Sequence, residues 1–215
     1  MRDQTDYLQD LAQAHLLESL AVKRRVIETC LPAVAAAAEL ITATFRAGGK
    51  LLLCGNGGSA ADCQHMASEL VARLTHDFER PGLPAIALTT DTSYLTAYAN
   101  DCGFDGVFER QVQALGRQGD VLVGISTSGN SPNVVRAVQL ARQMGLGTIA
   151  LTGGSGGTLA GLTNVTILVP SSNTQYIQES HLAIEHILCQ LVEQLLFCDT
   201  QSLQQQAQTR LKELM

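Results

Sequence analysis

Leu8, Leu11, Leu16, Leu20 and Val26 are spaced broadly as helical turns, and no glycine precedes Gly48. The single proline of this stretch, Pro32, follows Cys30 and Leu31, and proline suits the first turn of a helix. The pattern predicts two helices, broken near residues 30–32. Ala33 to Ala38 permit close approach of another helix, and a helical hairpin ahead of a sheet reads as an oligomerisation element, residues 1–48. From Lys50 the pattern changes to short apolar runs followed by helix-like segments. The runs are Leu51–Cys54, Ala85–Leu88, Val121–Ile125, Thr148–Leu151 and Val165–Val169. The segments between them are long enough for helical crossovers. They predict an α/β fold with a doubly wound, five-stranded parallel sheet flanked by helices over residues 49–198, closed by a helix from about Thr174 to Phe197. In the glutamine-rich stretch 199–215, Leu203, Ala207 and Leu211 recur at every fourth position. That spacing predicts a short amphipathic helix for packing or subunit contact.

Composition narrows the core and the partners. Hydrophobic residues make up 46% of the chain, aromatics only 4%, and tryptophan is absent, so the core is aliphatic. A formal charge of −6 argues against a nucleic-acid partner, which asks for a basic face. A small phosphate needs no such surplus, because oriented amides and hydroxyls hold it locally. The six cysteines, at 30, 54, 63, 102, 189 and 198, form no C-x-x-C pair and read as reduced structural thiols. No apolar run approaches the roughly 20 residues of a membrane span, and the first residues lack an apolar signal core. The expectation is a cytoplasmic protein without membrane contact.

Two turns carry the chemistry. Gly55-Asn56-Gly57-Gly58-Ser59 follows the first predicted strand, and Ser126-Thr127-Ser128-Gly129-Asn130-Ser131-Pro132 follows the third. Both open onto helices at the carboxyl ends of parallel strands, where open α/β sheets bind ligands. In the second turn four hydroxyls, Ser126, Thr127, Ser128 and Ser131, exceed what helix capping needs. With a close-approaching glycine and a helix N-terminus, they predict a phosphate cradle. Neither turn has the spacing of a Walker loop or of G-x-G-x-x-G, so a nucleotide is not the default ligand. Asn56 and Ser59 offer donors suited to sugar hydroxyls. A third turn, residues 151–157, reads mainly as a flexible connection.

His65 and Glu69 lie one helical turn apart and share a face. Gln178 and His186, eight residues apart on the last helix, are separated by about 80° around its axis and can face one cleft. If the two helices meet, an acid/base pair stands beside the sugar site.

Residues 54–60, 65–70, 99–101, 124–131 and 177–181, together with His186, resemble the bacterial phosphoheptose isomerases of the sugar isomerase (SIS) family. The resemblance runs to about Phe197. It implies a homotetramer with sites at subunit contacts, and interconversion of sedoheptulose 7-phosphate with a manno-heptose 7-phosphate, the first step of bacterial heptose biosynthesis. It implies substrate contacts at Asn56, Gly57, Gly58, Asn100, Asp101, Ser126, Thr127, Ser128, Ser131 and Gln178, and catalysis by Glu69 and His186. Some members bind zinc, and the matching residues are His65, Glu69, Gln178 and His186, one ion per subunit. The alternative is a non-catalytic SIS protein that binds a partner such as the replication initiator, or a sugar-phosphate sensor. The presence of both Glu69 and His186 favours the enzyme.

Overall fold

The computed structural model describes residues 4–199 and 208–213. Helix α1 (Gln4–Thr29) and helix α2 (Leu31–Arg46) break at Cys30, with Pro32 in the first turn of α2 as its fixed φ favours. There follow β1 (Leu51–Gly55), α3 (Gly58–Val71), β2 (Ala85–Ala87), α4 (Thr92–Cys102) and α5 (Val107–Leu115). The chain continues with β3 (Val121–Ile125), α6 (Pro132–Gln143), β4 (Gly147–Gly153), β5 (Val165–Val169) and α7 (Thr174–Phe197). All five predicted strands and the long closing helix are present. Residues 208–213 are helical, whereas Leu203 and Ala207 of the expected amphipathic stripe lie outside the described residues.

The strands form one parallel sheet in the order β2-β1-β3-β4-β5. Its central strands are apolar on both faces because helices cover both, which is why they read as continuous runs. Leu51, Leu53, Val121, Val123, Ile149 and Leu151 point to a core shared with α2, α3 and α7. Leu52, Cys54, Leu122 and Ala150 point the other way, onto α5 and α6. Helix α2 is therefore part of the main core, through the buried Ala37, Ala38 and Ile41, and is no appendage to it. The expected boundary near residue 48 separates helices from strands but divides no core. Helix α1 contributes only Ser19, Val22 and Val26 to the interior, and leaves Tyr7, Leu8, Leu11, Leu16, Leu17, Leu20 and Ile27 exposed. Among the described residues no single helix is long and apolar enough to cross a membrane. Cys30, Cys54, Cys63 and Cys189 are buried free thiols, and burial pushes those of Cys54, Cys63 and Cys189 up in pKa, so they pack as apolar groups.

The strand order places the point of divergence between β1 and β3. The connection from β1 runs outward to β2, and the strands after β3 run the other way. The crevice beyond the carboxyl ends of such a pair is where doubly wound sheets take their ligands. Both serine/glycine turns lie there.

Candidate active site

Ser126 leaves the end of β3 with its amide donating to the Leu151 carbonyl, and the chain closes into a tight turn through Gly129 N–H to Ser126 O at 3.0 Å. Gly129 sits at φ +66°, and a Cβ there would lie 1.9 Å from the carbonyl oxygen of Gly156. Only glycine allows so close an approach of the two turns. Ser131 stands at the N-cap of α6 yet makes no capping bond with its side chain. Its hydroxyl is instead 2.9 Å from Ser126 Oγ, which in turn lies 3.5 Å from Ser128 Oγ. Three hydroxyls thus converge at a helix N-terminus, where free amides and the helix dipole favour an anion.

A cavity of about 220 Å³ opens beside these hydroxyls, lined by Thr127, Ser128, Gly153, Gly154, Ser155, Ser171, Ser172, Thr174 and Ile177. The third glycine turn is therefore a wall of the site, contrary to its reading as a slack connection. It is tied down by Gly153 N–H to Thr127 O at 3.1 Å, and by Thr158 N–H and Oγ1 donating to Asn130 Oδ1 at 2.9 Å each. Its glycines serve close packing and positive φ, with Gly154, Gly156 and Gly157 all in that region.

The first turn joins the second through a pair of amides. Asn56 Nδ2 donates to Asn133 Oδ1 and Asn133 Nδ2 donates back to Asn56 Oδ1, both at 2.9 Å. Asn133 is buried on the first turn of α6 and was not among the predicted residues; its sequence signal is only that it follows the Ser131-Pro132 helix start. Ser59 is buried at the start of α3, and Gly58 packs against Gln178. Asn100 and Asp101, at the end of α4, are exposed and bonded to each other through Asn100 Nδ2 and Asp101 Oδ1 at 2.8 Å. Among the described residues that bond stays within the pair and does not reach the other site residues.

Helices α3 and α7 do meet. His65 Nε2 and His186 Nε2 are 2.8 Å apart with their rings edge to face, and Glu69 Oε1 is 3.8 Å from His65 Nδ1. Two turns back along α7, Gln178 Nε2 donates to Asp62 Oδ1 at 2.7 Å. That bond commits the amide nitrogen of Gln178 and leaves its oxygen free to accept or to coordinate. Asp62, three residues before His65 on the same helix face, escaped the sequence reading although that spacing was a signal. Burial raises Asp62 to about 6, partly opposed by the Gln178 hydrogen bond and by His65. Behind it Glu185 is fully enclosed with neither oxygen bonded, and burial, reinforced by Asp62, raises it to about 9. Glu185 is thereby a neutral acid at pH 7.

The donor set suits zinc in kind, with two imidazoles, a carboxylate and an amide oxygen. The paired Nε2 atoms would part by roughly half an ångström to take tetrahedral zinc at about 2.0–2.1 Å from each. Glu69 lies on the other nitrogen of His65, and among the described residues no three His, Cys, Asp or Glu side chains converge as a ready metal cage. Of the four donors, the two histidine nitrogens are the pair that the fold has already brought together.

Comparison with known proteins gives the family. The SIS domain family model matches residues 15–153. A phosphoheptose isomerase of Roseiflexus sp. (strain RS-1) is 57% identical over 179 residues, which is 83% of this chain and 90% of the relative. The chain belongs to the phosphoheptose isomerases of the SIS family. The solved phosphoheptose isomerase of Neisseria gonorrhoeae shares 46% identity at a TM-score of 0.81, covering 86% of this chain and 98% of its own. That of Francisella tularensis shares 41% at 0.83, covering the same fractions. The family match opens inside α1 and closes at the end of β4, so the SIS unit includes helix α2, in keeping with its place in the core.

One buried group lends the site a pH dependence of its own. His181 is fully enclosed on α7, its Nε2 donates to Thr152 O at 3.2 Å in the third turn, and its Nδ1 has no partner. Burial lowers its pKa to about 4 from an ordinary value of 6.5. The unfolded chain therefore takes up this proton at a higher pH than the folded one. The stabilisation is complete above about pH 6.5 and is lost as pH falls through 4, a term of about 3 kcal/mol. His181→Gln keeps a donor for Thr152 and removes the titration. Thermal midpoints of the variant should fall less than those of the parent between pH 6.5 and 4.5, and equal slopes would refute the assignment.

Proposed function

We propose that the protein interconverts sedoheptulose 7-phosphate and D-glycero-D-manno-heptose 7-phosphate in the cytoplasm, opening bacterial heptose biosynthesis. The observation that carries this reading is the meeting of Glu69, His65 and His186 across α3 and α7, at the same sheet edge as a hydroxyl cradle. The cradle of Ser126, Thr127, Ser128 and Ser131 takes the phosphate. Asn56, Gly57, Gly58, Ser59 and the free oxygen of Gln178 face the sugar, with Asn100 and Asp101 supplied across a subunit contact.

Moving the carbonyl from C2 to C1 removes a proton from C1, forms an enediol and returns a proton to C2. Glu69 takes and returns the carbon-bound proton on one face of the substrate, which a single carboxylate does without leaving its place. His186 moves the accompanying proton between O1 and O2, its ring oriented by His65. Asp62 keeps the Gln178 amide turned so that its oxygen faces outward. Zinc bound by His65 and His186, with Glu69 and Gln178 within the same cluster, would polarise the carbonyl or hold the site in shape.

Incubation of the purified protein with sedoheptulose 7-phosphate should yield the aldose. No aldose, with or without added zinc, would dismiss the isomerase reading. Elemental analysis should find one zinc per subunit, and exhaustive chelation should lower the melting temperature and turnover together. A metal-free protein of full activity and unchanged melting would remove zinc from the proposal.

The apolar face of α1 supports assembly into a homotetramer, since Tyr7, Leu8, Leu11 and Leu16 would otherwise remain in water. Residues 1–48 would then serve both core and assembly, with 49–198 as the sugar-phosphate unit and 199–215 as an extension. Sedimentation should give about four times the 22.9 kDa chain mass.

A further inference from the structure

The side chain of Arg80, in the loop after α3, is 1% exposed, and that of Glu193 on α7 is 6% exposed. Arg80 Nε donates to Glu193 Oε1 at 2.7 Å, and the amide of Leu74 donates to the same oxygen at 3.2 Å. Arg80 Nη2 lies 2.7 Å from that oxygen as well, and both Nη atoms face the end of α3. Its Nη1 donates to the carbonyl of Leu70 at 2.7 Å, and its Nη2 donates to the carbonyl of Glu69 itself at 2.8 Å. The last carbonyls of a helix have no partner within it, and a cation there is favoured by the helix dipole. Arg80 fills that need with a planar fork that addresses several acceptors at once.

The place where this pair joins the two helices matters more than its charge. Along α7, Gln178, His186 and Glu193 follow at intervals of eight and seven residues, about two turns each, so all three look toward α3. Along α3 their counterparts are Asp62, His65 and the Glu69–Leu70 main chain. The ion pair is the last of three crosslinks between the helices, and the one that grips the backbone of Glu69. A buried ion pair is weak evidence of stabilisation, since apolar groups of similar volume often do as well.

We propose that Arg80, anchored by Glu193, is the positioning residue that sets the Glu69 carboxylate against His186 and the substrate. The inference rests on the reading of Glu69 and His186 as the proton-transfer pair. Reacting groups tolerate little displacement, and a shift of about 1 Å at a catalytic group can lower turnover a hundredfold. The phosphate cradle, built on β3 and α6, is untouched by the pair.

The test uses the full chain with three changes: Arg80→Lys, Glu193→Gln, and the charge-free double variant Arg80→Met with Glu193→Leu. Each is measured at equal distance below its own melting temperature. The proposal expects kcat to fall at least tenfold in Arg80→Lys and in the double variant. KM for sedoheptulose 7-phosphate and inhibition by inorganic phosphate should stay within threefold. Turnover within twofold of the parent in a folded variant overturns it, as does a parallel loss of phosphate inhibition. Failure of all three to fold also overturns it, because the pair would then be a requirement of the fold alone. Glu69→Gln is assayed beside them. If that variant turns over normally, the catalytic reading itself fails; if it is silent while the Arg80 variants run at full rate, only the positioning role fails.

Discussion

Glu69→Gln should lower kcat by roughly a hundred- to ten-thousandfold, the range a positioned general base contributes. The amide keeps the size and hydrogen-bonding reach of the carboxylate but cannot take a proton from carbon. Glu69 is one-fifth exposed at the open side of the α3–α7 seam, and its contact with His65 is long at 3.8 Å, so little of the fold depends on its charge. Binding of sedoheptulose 7-phosphate, measured by calorimetry, should change by less than about threefold, because the hydroxyl cradle proposed for the phosphate lies on a different strand. A silent enzyme that still binds places the loss in the chemical step. Solvent-exchange measurements sharpen the point, since the parent should wash deuterium into the substrate at C1 and the variant should not. Normal turnover would end the assignment of Glu69 as base.

Gly129→Ala should damage the cradle as thoroughly as Glu69→Gln damages the chemistry. The left-handed conformation alone costs an alanine about 1–2 kcal/mol. Its methyl would in addition fall on main chain, 1.9 Å from Gly156 O and 2.5 Å from the carbonyl carbon, which no rotamer relieves. The two turns must separate, carrying Ser128 and Asn130 with them and breaking the bonds from Thr158 to Asn130. The expected result is at least a tenfold rise in KM and a melting temperature lower by several degrees. Gly161→Ala is the control, because a Cβ there meets nothing within 4 Å. Unchanged phosphate affinity in Gly129→Ala would show that the turns have slack that this geometry denies.

The strands, their parallel arrangement and the hydroxyl cradle were legible because each is written in adjacent residues. A strand buried on both faces is an unbroken apolar run, as in Leu51–Cys54, and four hydroxyls in six positions announce themselves. The seam between α3 and α7 was legible only in part, since helical spacing told which residues share a face but not which faces touch. What escaped was pairing over distance. Asn133 meets Asn56 across 77 positions, and Asp62 meets Gln178 across 116. Arg80 stands in a loop whose sequence carries no periodicity. The third turn was misjudged because glycine serves slack and close packing alike, and only the approach of Gly129 to Gly156 distinguishes them.

Helix α7 has a second side. While Gln178, His186 and Glu193 look toward α3, the neighbouring Glu179 accepts from the Ser19 hydroxyl and lies 3.2 Å from His15 Nε2, and both partners belong to α1. Tyr176 extends the same contact through its hydroxyl, 3.3 Å from His15 Nδ1. A single helix, about 10 Å across with its side chains, therefore separates Glu69 and His186 from the helix that leaves its apolar side chains exposed. If the assembly proposed above forms through α1, its contact would press on the back of the rod that carries His186, one layer of packing from the groups proposed for turnover.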